Sequence, residues 1–104
     1  MYDYDIRLTR KADKDFSGLE KTAMQKAAQA LTQLKTDPYA GHSLTGSLRG
    51  VRALEFSAPG GAYRAAYIVR QELNRCVIFL VGSHEGFYKE AERRYKALKK
   101  SDQY

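Results

Sequence analysis

Between Glu55 and Tyr88 the chain carries a guanidinium, an imidazole and a phenol in close succession, at Arg64, His84 and Tyr88. A guanidinium can grip a phosphate through two parallel N–H donors. An imidazole takes or gives a proton near neutral pH. A phenol stacks on a base or hydrogen-bonds a phosphate oxygen. Glu55 is the only carboxylate of its predicted strand and reads either as a general base or as the partner that orients Arg64. Together these groups can cleave RNA without a metal. A base takes the ribose 2′-hydroxyl proton, a cation stabilises the phosphorane, and an acid protonates the leaving 5′-oxygen. Each residue has a plainer role beside this one. His84 can be a solvated loop histidine, Arg64 can pair with Glu55 across the sheet, and Tyr88 can pack on its own helix.

Three further cations, Arg49, Arg52 and Arg75, sit near predicted strand ends and are candidates for electrostatic contact with RNA. His42 falls in a turn and carries little weight. The lone cysteine, Cys76, lies in the apolar run Cys76-Val77-Ile78-Phe79-Leu80-Val81 and reads as a buried strand residue. The sequence has no cysteine pair, no His-x-x-x-His and no carboxylate cluster, so no metal site or cofactor is expected. A phosphate-binding Gly-x-x-x-x-Gly-Lys loop is also missing.

These residues need a scaffold. Tyr4 to Thr9 alternates and predicts a strand. Arg10 to Phe16 predicts a short helix. Ser17-Gly18-Leu19-Glu20 fits a capping box opening a second helix, in which Met24, Ala27, Leu31 and Leu34 form one apolar stripe. Asp37-Pro38 stops it. A strand is expected from about Leu48 through Phe56. Pro59-Gly60-Gly61 turns the chain, and Ala62 to Arg70 forms the next strand. On it Tyr63, Ala65, Tyr67 and Val69 share one face, and Arg64, Ala66, Ile68 and Arg70 the other. Arg75 to Val81 is apolar throughout, as a central strand would be. The short turns imply an antiparallel meander. Gly86 to Lys99 predicts a last helix with Phe87, Ala91, Tyr95 and Leu98 inward, and Ser101 to Tyr104 reads as a frayed end. The fold class expected is α+β: a small antiparallel sheet with an N-terminal helical hairpin and a C-terminal helix, the helices on one sheet face.

With 104 residues and 43% hydrophobic content, the chain is expected to form a single domain, 1–104, with its own core. Net charge is +6, which points to nucleic acid or an acidic protein as partner. Tyr2-Asp3-Tyr4-Asp5 does not suit a signal peptide and no apolar run reaches membrane-spanning length, so a cytoplasmic location without membrane association is expected.

The succession Leu48-Arg49-Gly50, Leu54-Glu55-Phe56, Ala62-Tyr63-Arg64-Ala65-Ala66-Tyr67, Val77 to His84 and Phe87-Tyr88-Lys89-Glu90-Ala91 resembles the RelE/ParE superfamily of toxins from type II toxin–antitoxin modules. The resemblance spans nearly the whole chain. It implies a microbial-RNase-like sheet packed on helices. In RelE-like members it implies an endoribonuclease that cuts mRNA in the ribosomal A site and is neutralised by a cognate antitoxin. Arg64 matches the family's phosphate-binding arginine, His84 the place of its general acid, Tyr88 the aromatic beyond it, and Glu55 the strand position of a base or orienter. Where several members have an arginine two residues after that glutamate, this chain has Ser57; Arg52 is the nearest substitute for the lysines some members carry on the strand. The same scaffold in ParE-like members implies a DNA gyrase inhibitor with no chemistry of its own, or it can serve as a non-catalytic binding module.

Overall fold

Thr9 decides where the first helix starts. Its hydroxyl accepts from the Ala12 backbone N–H at 3.1 Å, satisfying one of the donors a helix N-terminus leaves open. The computed structural model describes residues 3–83 and 85–101. Among them the order is β1 (Asp5–Leu8), α1 (Arg10–Ser17), α2 (Lys21–Gln33), β2 (His42–Ser43), β3 (Arg52–Ala58), β4 (Gly61–Arg70), β5 (Arg75–Ser83) and α3 (Phe87–Lys99). Short 3₁₀ turns lie at Gly46–Leu48 and Gln71–Leu73. The end of the chain predicted to fray falls, after Ser101, outside the described residues.

The expected capping box does not form. Ser17 is the last residue of α1, and Glu20 caps α2 without a side-chain hydrogen bond. Because Thr9 already opens α1, Ser17 is carried into that helix and its hydroxyl is not placed to cap the next. The apolar stripe of α2 holds, turned slightly toward Ala23: Ala23, Ala27, Leu31 and Leu34 are buried and Met24 lies half-buried at the flank. Alanines on the inner face let the helix approach the sheet closely.

The sheet runs β1-β5-β4-β3-β2. The three long strands form the expected antiparallel meander, but β1 adds parallel to β5, so the sheet is mostly rather than wholly antiparallel. Pro59-Gly60 joins β3 to β4, with Ala58 opposite Gly61 and Gly60 at φ +99°, which a glycine adopts without penalty. The strand expected from Leu48 begins four residues later. Gly46 and Gly50, at φ +63° and +95°, turn the chain on either side of Leu48, and Leu48 buries its side chain from a 3₁₀ turn instead.

Between Ala66 and Tyr67 of β4 the pairing with β5 slips from Leu80 to Ile78, leaving Phe79 as an extra residue. Phe79 and Leu80 therefore both face one side, while Ile78 and Val81 face the other. The expectation that the helices share one face is wrong for the same reason that β5 is apolar on both faces. Helices α1 and α2 cover the face bearing Ala65, Tyr67 and Ile78; α3 covers the face bearing Ala66, Phe79 and Leu80.

Tyr67 locks the chain after α2 to the sheet. Its buried phenol donates to the Pro38 carbonyl at 2.8 Å and accepts from the Gly41 N–H at 2.9 Å. Burial raises its pKa, so it stays a protonated donor. Tyr67→Phe strands both backbone groups away from water. The expected loss is about 1–3 kcal/mol of unfolding free energy in urea denaturation.

Candidate functional site

Glu55, Arg64 and Gly82 stand directly opposite one another on β3, β4 and β5. Arg64 alternates with Ala65 and Tyr67 and so points to the α3 side of the sheet. There its guanidinium lies 5.1 Å from the centre of the Tyr88 ring, a cation–π contact. Tyr88 comes from the first turn of α3, where Gly86, at φ +70°, redirects the chain after β5. Its ring packs edge-on against Phe87 at 5.4 Å, which leaves one face toward Arg64 and part of the phenol in solvent. Glu55 approaches from the neighbouring strand, its Oε1 3.6 Å from Arg64 Nε. That is an ion pair too long for a hydrogen bond. The Glu55 carboxylate is half exposed, whereas the Arg64 side chain retains 15% exposure.

Arg64 is incompletely satisfied. Its Nη1 is buried and has no hydrogen-bond partner among the described residues. A buried donor without an acceptor costs free energy, more so on a charged group. An anion with several acceptor oxygens would remove that cost.

Three of the residues singled out from sequence thus meet at one place: Glu55, Arg64 and Tyr88. His84, the fourth, lies outside the described residues. Arg52 does not join them. It points to the opposite face, donates to the Gly41 and Tyr39 carbonyls and to Ser43 Oγ, and lies over the Tyr39 ring at 5.3 Å. It braces the loop before β2. Arg75 is at the far end of β5, about 23 Å from Gly82 at strand rise, and pairs with Asp5. Arg49 is exposed beside the Gly46–Leu48 turn, where its carbonyl accepts from the Tyr95 hydroxyl at 3.1 Å.

Positive charge is unevenly placed. Residues 46–50 and 86–101 hold Arg49, Lys89, Arg93, Arg94, Lys96, Lys99 and Lys100 against Glu90 and Glu92, a net +5 of the chain's +6. Glu90 is held down to about 2 by hydrogen bonds from Arg93 and Arg94, so it stays ionised and neutralises part of them. Lys89 and Lys96 of α3 and Lys100 at its C-cap remain exposed.

One residue pair escaped sequence reasoning. Asp15 of α1 accepts from the Val81 N–H at 3.0 Å and from Arg94 Nη1 at 2.7 Å, and the same Nη1 donates to the Phe79 carbonyl at 3.0 Å. Beyond Leu8, β1 no longer runs beside β5, and these side chains serve the edge left open at the bulge. They tie α1, β5 and α3 together next to the site. The available signal was Arg94 itself, which falls on the inward stripe of the last helix between Ala91 and Leu98.

Among the described residues no group of three His, Cys, Asp or Glu side chains could share a metal ion, and no helix is long and apolar enough to cross a membrane.

Residues 6–92 match the family model of the ParE-like toxins of type II bacterial toxin–antitoxin systems. The fold is that of solved RelE structures. A double-arginine mutant of the Escherichia coli toxin RelE in the free state superposes with a TM-score of 0.74 at 20% identity, covering 92% of this chain and 98% of that one. The Mycobacterium tuberculosis RelBE2 toxin–antitoxin complex contains a chain 25% identical, TM-score 0.67, covering 79% and 99%. A YoeB/ParE toxin from Agrobacterium tumefaciens matches at 18% identity and TM-score 0.64, covering 77% and 98%. The sequence matches no curated protein.

Proposed function

This chain belongs to the ParE-like toxins of type II bacterial toxin–antitoxin systems, within the RelE/ParE superfamily, and from that membership we propose that it is a metal-independent endoribonuclease that cuts mRNA at the ribosomal A site. The observation that carries the reading is Arg64: a nearly buried guanidinium, aimed at an aromatic ring and a carboxylate, with one donor lacking any partner.

The chemistry follows from what stands around it. Glu55 takes the proton from a ribose 2′-hydroxyl, and the freed oxygen attacks the adjacent phosphorus. Charge grows on the non-bridging oxygens, where the Arg64 guanidinium lowers its energy. His84 gives a proton to the 5′-oxygen as the P–O5′ bond breaks. The products are a 2′,3′-cyclic phosphate and a 5′-hydroxyl. Tyr88 holds Arg64 in place and offers a ring on which a base can stack. The lysines of α3 attract the phosphate backbone toward the site, as would Arg49. Arg52 and Arg75 act on RNA only through their long-range charge.

Solved RelE-like relatives form complexes with antitoxins. We assign this toxin a cognate antitoxin as well, acidic enough to meet a surface of net +5, and a cytoplasmic place of action beside mRNA and ribosomes.

The ParE-like description of the matched family favours one other reading, a toxin that acts by binding DNA gyrase. One experiment separates them. Purified protein is added to a translating extract and, in parallel, to a gyrase supercoiling reaction. The nuclease reading expects message fragments ending in 2′,3′-cyclic phosphate and undisturbed supercoiling. Arrested supercoiling over intact message would replace it with the gyrase reading.

A further inference from the structure

Gly82 is the next-to-last residue of β5, at a point where that strand pairs only with β4, and the fold gives no structural reason for a glycine there. Glycine inside a strand weakens it and marks one of a few things: a bulge, a tight bend, or a place where backbone or ligand comes close. The bulge of β5 is at Phe79, before Gly82. The φ of Gly82 lies outside the left-handed region, so any residue can adopt it. No described atom lies within 4 Å of where a Cβ would stand. Other glycines show what structural demand looks like. A Cβ at Gly41 would be 2.8 Å from both the Ala53 carbonyl oxygen and the Tyr67 phenol oxygen, and Gly60 sits at φ +99°. Gly82 meets neither kind of demand.

Its position gives the remaining reason. Gly82 is paired with Arg64, which is paired with Glu55, so the missing side chain opens a gap at one end of the row that holds the candidate cation and base. Side chains of directly opposed residues stand about 4.5–5.5 Å apart at Cβ. A branched residue at 82 would therefore stand against the stem of Arg64 and fill the space from which its guanidinium is approached. The unpartnered Nη1 of Arg64 is the second observation that points to an absent anion.

We infer that the empty place over Gly82 seats the scissile phosphodiester of single-stranded RNA against Arg64, which makes Gly82 a steric determinant of the reaction. The inference rests on the ribonuclease reading above and adds a residue with no reactive group of its own.

The test uses Gly82→Val and Gly82→Ala in the full chain. Three quantities are measured: thermal unfolding, cleavage of message on translating ribosomes, and binding to ribosomes whose message carries 2′-deoxy nucleotides at the A-site codon, which 2′-hydroxyl attack cannot cut. Valine suits a strand, so Gly82→Val is expected to melt about 2–8 °C higher. It is also expected to lose about 100-fold or more in cleavage, with a matching loss of affinity for the uncuttable strand. Gly82→Ala should lie between wild type and valine in both. A valine variant that cuts and binds like wild type would overturn the inference while the ribonuclease reading stands. Lower melting temperatures for both variants would also overturn it, since the glycine would then serve the backbone. A wild-type protein that neither binds nor cuts ribosome-bound message would remove the reading itself, and the inference with it.

Discussion

Replacing Arg64 with methionine is expected to lower RNA cleavage by about 10²–10³-fold while leaving the melting temperature unchanged or higher. Methionine keeps an unbranched apolar stem of similar reach and removes every donor. The expectation for stability comes from how poorly Arg64 is satisfied. Its contact with Glu55 is 3.6 Å long, and Glu55 is half exposed, so the pair is screened and contributes little. Its Nη1 is buried with no partner, which is a cost to the folded state. Removing the guanidinium removes that cost. In the proposed reaction the opposite is expected, because the guanidinium would gain a partner as charge builds on the phosphate. Arg64→Lys separates charge from shape: a lysine is a point cation without the planar fork. A loss of roughly tenfold or more is expected there, because two-pronged contact is gone. Cleavage of message in a translating extract and thermal unfolding of each variant check this. A methionine variant that cuts at the wild-type rate, or one that unfolds many degrees lower, would show that Arg64 is a structural ion pair.

Stability and the proposed chemistry are thus expected to pull apart at this row of the sheet, and a similar contrast separates what could be read from sequence from what could not. Local rules worked where one local interaction decides. Pro59-Gly60 made the β3–β4 turn, and the alternation of β4 put Arg64 opposite in direction to Tyr63 and Tyr67. Asp37-Pro38 did not stop α2, which ends at Gln33 with Leu34 as its C-cap. Where two local interactions compete, the choice was hidden. Ser17 could cap α2 or end α1, and the hydroxyl of Thr9, eight residues earlier, settled it. The bulge at Phe79 left no trace because β5 is apolar at every position from Cys76 to Val81, so a one-residue slip exposes no polar group. That slip aligns Phe79 with Leu80 under α3.

The site was legible in the same partial way. Glu55, Arg64 and Tyr88 come together because adjacent strands and the helix after them must be neighbours. Arg49, Arg52 and Arg75 do not join them because a cation at a strand end carries no information about its face. Arg52 takes the Tyr67 side of the sheet and is held by backbone carbonyls. The Asp15–Arg94 pair spans 79 residues, and only the tertiary fold brings it together. Gly82 carries no side chain that could mark it in the sequence, and its meaning depends on what lies across the sheet from it.

His84→Ala is expected to lower cleavage of ordinary RNA by about 10²–10⁴-fold, the usual contribution of a general acid. The argument is one of elimination at the leaving group. The 5′-oxygen departs as an alkoxide unless a proton reaches it, and an alkoxide is a poor leaving group at neutral pH. A guanidinium is not a proton donor at cellular pH. Glu55 must begin ionised to act as base. An imidazole, which titrates near neutrality, is the one side chain of the set suited to carry the acid proton. The sign of the pH dependence follows. Activity that needs a protonated imidazole falls as pH rises through the neutral range, and that limb should vanish in the alanine variant. A second substrate isolates the step. With sulfur in place of the bridging 5′-oxygen, the leaving thiolate needs no proton, so His84→Ala should lose far less on it than on the oxygen substrate. Equal losses on both would mean that the histidine positions RNA or supports the loop, and the acid would have to be sought elsewhere, with Tyr88 the next donor in reach of Arg64.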